Sequence, residues 1–171
     1  AGVELKTFDP VIRDEKAKLY EICERTAKFF EKQLWGGESG KKALAYLRER
    51  GLTEETVKDF RLGFAPNGWE GLIGYLRECG YQDGEIVSAG MAIRRQTANG
   101  EQRSATGSGI YDRFRSRIIF PISDISGQIV GFTGRIFEPV PTREAVEAKY
   151  INTPQTLIYD KSRILYGLDK A

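Results

Sequence analysis

The sequence predicts an α+β fold: a helical N-terminal half followed by a small mixed or antiparallel sheet with helices. Three observations carry this. Residues 14–34 place Leu19, Ile22, Cys23, Thr26, Phe30 and Leu34 on one helical face. Helix-sized segments bounded by glycines then follow one another up to Gly90. From Met91 the pattern changes, and residues 111–135, YDRFRSRIIFPISDISGQIVGFTGR, read as two β-branched, aromatic-rich runs around an Asp/Ser/Gly cluster, a β-hairpin. Helices grouped before strands, with no internal repeat, suit the α+β class.

Taken in order, residues 1–13 read as a linker. The amphipathic helix over 14–34 has acidic residues at its start and ends at Gly36-Gly37. The stretch GGESGKK fails as a phosphate loop: the required first glycine falls at Trp35, and Lys42 stands where Ser or Thr is needed. Ser39 is instead the expected cap of a second helix carrying Leu44 and Leu47 and stopping at Gly51. Thr53 caps a short helix with Glu54 and Glu55 in its first turn and Val57 and Phe60 inward. Gly63-Phe64-Ala65-Pro66 is a turn. Residues 68–78 form a helix closed by Gly80, and Asp83 caps a last one ending at Gly90. MAIRRQ is a short strand, residues 97–109 a polar, mobile loop. After the hairpin, residues 138–148 interrupt the sheet with two prolines, 149–151 are extended, 152–154 turn, and 156–168 are partly helical.

The hairpin's register follows from its faces. Phe114, Ile118, Phe120 and Ile122 share one face of the first run; Val130, Phe132 and Ile136 share one face of the second. Burying both sets in one core sets Asp124 opposite Gln128 and Arg117 opposite Arg135. The other face then carries Arg113, Arg115, Arg117 and Arg135, a like-charge set that a polyanion would relieve. The plain alternative is a solvated basic face.

Composition excludes more than it assigns. A chain of 171 residues suits one domain with a real core. No apolar run approaches the roughly 20 residues of a membrane span, and no signal peptide is visible. No membrane partner and a cytoplasmic location are expected. Two cysteines and no histidine cannot make a four-ligand zinc site, and Cys23 reads as a buried thiol. Lack of histidine also removes the commonest general base and the Ser-His and Cys-His nucleophile pairs. The net charge of +2 hides a concentration: residues 94–117 hold Arg94, Arg95, Arg103, Arg113, Arg115 and Arg117 against Glu101 and Asp112, which suits an anionic partner. Asp112 and Asp124 read as an ion-pair partner and a turn residue rather than catalysts. Gly131 and Gly134 mark a bulge, a kink, or a close approach of backbone or phosphate.

Four motifs extend this. YDRFRSRIIFPISDISGQIVGFTGR, KYINTPQT, DKSRILYGL and the earlier RGLTEETVKDFRLGFAPNGW resemble, in order and over residues 14–171, the catalytic core of bacterial DNA primases of the DnaG type. The resemblance implies the N-terminal mixed α/β subdomain of an RNA polymerase core that makes short RNA primers on single-stranded DNA. That subdomain stands between a zinc-binding domain and an acidic, metal-binding TOPRIM subdomain. It implies nucleotide-binding or catalytic roles for Arg50, Arg135, Lys149, Asn152 and Lys161, and DNA contacts for Arg113, Arg115, Arg117 and Tyr150. No metal or cofactor is expected on these residues; magnesium or manganese would belong to TOPRIM and zinc to the N-terminal domain. The implied partners are single-stranded template DNA, ribonucleoside triphosphates and, through another domain, a replicative helicase. Gln155 departs from the acidic residue common in the family, and the loops at 97–109 and 139–147 are long. A nucleic-acid-binding module of a phage or plasmid primase-helicase and a protein-interaction domain with a basic face are the competing readings.

Overall fold

A computed structural model describes residues 9–95, 109–137, 148–164 and 166–170. The first helix, α1 (Pro10–Gly36), begins a turn earlier than the apolar period announces, because Asp9 accepts a hydrogen bond from the Val11 amide at 3.0 Å and Pro10 supplies a helical φ. Residues 10–13, expected to be linker, are therefore the first turn of α1, and residues 1–8 lie outside the described set. α2 (Glu38–Glu49) follows from Gly37, so Ser39 sits inside its first turn and does not cap it. The corner between the helices is tight: a Cβ on Gly40 would lie 2.0 Å from the Gln33 carbonyl oxygen. α3 (Glu54–Asp59) is capped as expected, the Thr56 amide donating to Thr53 Oγ at 3.1 Å.

Residues 63–65 are not a turn but a strand, β1 (Gly63–Ala65), held by pairing with a distant segment. α4 (Gly71–Glu78) and α5 (Asp83–Ser88) come next. α5 starts from Gln82, whose amide donates to Glu85, so Asp83 is its first residue rather than its cap. β2 (Ala92–Arg94), β3 (Ile110–Asp112), β4 (Arg117–Ser123), β5 (Ile129–Ile136) and β6 (Tyr150–Asn152) complete the sheets. The described residues of 156–168 lack the expected α-helix; a 3₁₀ turn, Leu168–Lys170, follows. The expected polar loop and the proline-bearing interruption fall almost wholly outside the described residues. The architecture is α+β, with one strand drawn from the helical half.

β1, β4, β5 and β6 form an antiparallel sheet in that order, and β2 pairs with β3 in a separate ribbon. The predicted hairpin is therefore β4–β5 alone. Arg113 and Arg115 sit in the connection from β3, not on a strand. At the turn the register is as expected: the Asp124 amide donates to Gln128 O, and Asp124 Oδ1 accepts from the Ser126 and Gln128 amides. One residue later it slips. Ser123 pairs with Ile129 but Ile122 with Gly131, so Val130 is a bulge and every later pair moves by one. Arg117 faces Ile136, and Arg135 faces Ile118. The expected Arg117–Arg135 pair does not form, and the two arginines lie on opposite faces. The reason is that both faces are buried. Ile119 and Phe132 join Phe30 of α1 and Phe114 in one cluster; Ile118 joins Leu44, Leu47, Val57 and Phe64 in another. With apolar side chains wanted on both sides, alternation no longer selects one register.

Two polar devices fasten the helices. The buried Asp112 carboxylate, at 4% exposure, accepts from the Leu72 and Ile73 amides at 2.9 and 3.0 Å. It caps α4 from a distant strand, where an ion pair was expected; Glu70 at the cap position makes no capping hydrogen bond through its side chain. Burial pushes this carboxyl above the ordinary aspartate value, while those amides and that of Gly71 pull it back. Asp112→Ala is expected to cost about 2 kcal/mol, a fall of about 4–8 °C in melting temperature, with Asp112→Asn losing less. Equal melts for the three proteins would mean the cap is idle.

Arg61, in a left-handed conformation at φ 53°, forks between Glu24 and Glu31 of α1, with Nε and Nη1 at 2.7 and 2.8 Å from their oxygens. Hydrogen bonding from Arg61 holds the Glu24 carboxyl below its ordinary 4.5. A depressed carboxylate contributes stability above its unfolded value and loses it as pH falls through the folded one. Melting temperatures followed from neutral pH into acid should therefore fall through this range, and Arg61→Met should flatten that limb; an identical acid slope in both proteins would count against the triad.

Candidate nucleic-acid interface

The register slip decides where Arg135 points. Facing Ile118 on one side and Tyr150 of β6 on the other, it shares a face with Ile118 and Phe120, toward the end of α2. There it meets Arg50, the C-cap of α2, and Tyr46 one turn earlier. The two guanidinium carbons lie 5.1 and 5.2 Å from the Tyr46 ring centroid, within cation–π range. Lys149 and Tyr150 close the opposite bank, with the Lys149 ammonium 5.9 Å from the Tyr150 ring. The result is an open groove of 310 Å³ floored by Leu47, Leu52, Ile118 and Phe120. Arg50, Arg135 and Lys149 line it, and among the described residues no carboxylate does. Clefts along α1 differ in being lined by Glu21, Glu24 or Glu31 beside their cations. An apolar floor and a cationic lining suit this groove to an anion.

Of the residues singled out from sequence, Arg50, Arg135, Lys149 and Tyr150 come together here. Asn152 lies beside them, paired with Thr133 across β5–β6 and in hydrogen-bond contact with the Thr133 hydroxyl. Lys161 does not join them: it stands exposed on a turn at 161–163, outside the groove lining. Arg117 is not a surface residue at all. It is 4% exposed, and its Nη1 donates to the Ala148 carbonyl at 2.9 Å. A direct DNA contact by Arg117 is incompatible with that burial.

Arg113 and Arg115 belong to a second cluster. The Asp112 amide donates to the Trp69 carbonyl at 2.7 Å, bringing Trp69 beside Tyr111 with ring centroids 5.6 Å apart. The Arg115 guanidinium lies 3.9 Å from the Trp69 centroid, and Arg95 lies 5.3 Å from it. Nε of Arg95, Arg113 and Arg115 each lack a hydrogen-bond partner. Arg113 is half-buried, and desolvation lowers its pKa, with only Tyr111 pulling the other way. Trp69 is half exposed, an unusual position for so large an apolar ring. Flat rings interleaved with guanidinium groups form a surface on which bases stack and phosphates pair. Arg95 was legible as part of the basic concentration over 94–117. Trp69 and Tyr46 were missed, because only the tertiary fold brings them to these cations.

Gly131 and Gly134 serve side chains rather than a phosphate. A Cβ at Gly131 would meet Thr153 at 3.2 Å, and one at Gly134 would meet Phe114 and Arg117 at 2.9 and 3.1 Å. Among the described residues no three His, Cys, Asp or Glu side chains gather as a metal-ligand set. No described helix is long and apolar enough to cross a membrane.

Residues 29–171 match the family described as DNA primase catalytic core, N-terminal domain. The DNA primase of Deinococcus radiodurans is 39% identical over 173 residues, covering 100% of this chain and 26% of that protein. That of Synechococcus elongatus is 39% identical over 158 residues, 91% of this chain and 20% of the relative. The chain thus spans about a quarter of the length of these curated relatives. Among solved structures, the RNA polymerase domain of Mycobacterium tuberculosis primase DnaG, in complex with a double-stranded DNA oligomer with a 6-nucleotide overhang, superposes with TM-score 0.73 at 34% identity over 90% of this chain and 43% of that one. A DnaG primase catalytic domain bound to ssDNA gives 0.72 at 31% identity over 92% of this chain and 44% of its own. With a match over most of its length, this chain belongs to the DNA primase catalytic core family, as its N-terminal domain.

Proposed function

We propose that this chain is the template-binding part of a DNA primase, an enzyme that builds short RNA primers on single-stranded DNA. The observation that carries the reading is the groove in which Arg50, Arg135 and Lys149 converge over Tyr46 and Tyr150, with no carboxylate among its described lining residues. A single strand offers a regular row of phosphates and a series of flat bases; the cations suit the first and the rings the second. The Trp69–Arg115–Tyr111–Arg95 surface offers the same chemistry a second time, so a strand long enough to touch both would gain from each. Relatives named DNA primase, and a related catalytic domain solved with ssDNA, support this over a stand-alone binding module of a primase-helicase or a protein-interaction domain.

Incoming ribonucleoside triphosphates present the same anionic groups, and Arg135 and Lys149 suit them as well as template. Asn152 and Lys161 are further candidates for that role. Joining nucleotides in such enzymes takes metal ions on carboxylates. The described residues assemble no such set, so the division of labour is that this domain grips nucleic acid while a carboxylate-bearing part of the polypeptide supplies the ions. Zinc and a helicase partner belong to further parts of the same assembly.

The test is binding to single-stranded DNA across a salt series. Affinity should fall steeply with salt, because phosphate contacts release counterions. Arg135→Ala and Lys149→Ala should each cost about 1–3 kcal/mol and reduce the salt slope. Trp69→Ala should cost about 1–3 kcal/mol while leaving the slope nearly unchanged. Binding indifferent to all three changes would favour an acidic protein partner. Primer formation by these 171 residues alone with magnesium and nucleotides would overturn the division of labour.

A further inference from the structure

We propose that Arg117 is a positioning residue for the groove: from inside the sheet it holds the backbone that carries Lys149 and Tyr150. The proposal rests on the reading of Lys149 as a groove contact.

Three observations converge on it. Arg117 leaves β4 on the face opposite Arg135, and its side chain crosses β5 at Gly134, the position where a Cβ would come within 3.1 Å of Arg117 Cδ. Its Nη1 then reaches the entrance of β6, 2.9 Å from the Ala148 carbonyl and 3.4 Å from that of Lys149, with the Gly134 carbonyl at 3.3 Å. The strand it meets is an edge of only three residues, Tyr150–Asn152, with one further backbone bond before it, from the Ile136 amide to Lys149 O at 2.9 Å. So short an edge has little hold of its own. A charged donor at its entrance is worth more than a neutral one, the more so where water is excluded.

A buried guanidinium is a costly way to fill space. An aliphatic side chain between Phe114 and Ile119 would pack without desolvating a charge. What an aliphatic side chain cannot do is bind carbonyls of β5 and of the β6 entrance together. Arg117 thereby couples the strand bearing Arg135 to the segment bearing Lys149, and it sets the distance between the two banks of the groove without touching the nucleic acid.

The test is a double-mutant cycle in the full-length protein, read as affinity for fluorescent oligothymidylate. Arg117→Gln should weaken binding about tenfold in the wild-type background and less than about twofold when Lys149→Ala is present. Combined with Trp69→Ala, on the other surface, its effect should be fully additive. A loss of equal size in every background would mark a general disturbance of the fold and overturn the proposal, as would no loss at all from Arg117→Gln while Lys149→Ala weakens binding. Should Lys149→Ala leave affinity unchanged, the groove reading itself fails and takes the proposal with it. Arg117→Lys, which keeps the charge but not the planar fork, guards against a failure to fold. In that variant the Ile136 amide, bonded to Lys149 O, should exchange its hydrogen about tenfold faster than in wild type. Unchanged protection there would overturn the proposal on structural grounds.

Discussion

The β4–β5 hairpin must satisfy hydrophobic cores on both faces at once, and the rest of the molecule is arranged by how it does so. Ile118 and Ile119 are neighbours in sequence, point in opposite directions and are both fully buried. A strand in that position has no polar face on which to park a charge. Val130 absorbs the difference by bulging, which lets Ile129 serve one core while Val130 and Ile122 meet Tyr159 in another. The slip that follows turns one basic stripe into two roles. Arg135 faces out beside α2, and Arg117 is turned inward, where its Nη1 meets the carbonyls of Gly134, Ala148 and Lys149.

Ser116 makes a second separation upstream. Its positive φ of 48° breaks the extended run between Arg115 and Arg117. Its amide donates to Pro66 O and its carbonyl accepts from Phe137, so the break is tied on both sides. A left-handed non-glycine residue costs of order 1 kcal/mol. The cost is met by a division of labour: the chain before Ser116 serves the Trp69 surface and the chain after it serves the sheet. Three arginines spaced by two in sequence therefore divide between two environments, Arg113 and Arg115 in the connection beside the aromatic platform and Arg117 in the sheet interior.

What could be read from the sequence was what depends on local chemistry. The α1 stripe, the Thr53 cap, the Asp124 turn and the existence of the hairpin all follow from residue type and period, and all are present. What could not be read depends on partners remote in the chain. Gly63-Phe64-Ala65 has turn composition and becomes a strand only because β4 offers an edge and Gly63 lets Phe30 approach. Asp112 beside arginines reads as an ion pair, yet the helix it caps lies forty residues earlier. The alternation argument failed for a definite reason: it presumes one wet face, and this sheet has none at its centre. Within the site, motif resemblance found Arg50, Arg135, Lys149 and Tyr150, but the rings that hold two of those cations, and the platform around Trp69, were invisible until the fold assembled them.

Charge is partitioned in the same spirit. The net charge of +2 is small because acidic and basic residues are nearly equal in number. Position separates them. Glu24 and Glu31 are engaged by Arg61, Asp83 by Arg77, Glu85 by Lys18 and Glu54 by Arg48, all on the helical elements and their connections. The groove and the platform are left lined by cations and rings. An acidic side chain placed in either would neutralise a phosphate contact and add desolvation cost; placed on α1 or α3 it pairs locally and leaves the far field nearly neutral. Pairing on the helical elements thus draws these acidic groups away from the groove and the platform, rather than raising the charge of the whole domain. Local clusters of cations and rings favour a polyanion in a few registers, where a uniformly basic surface would bind it in many.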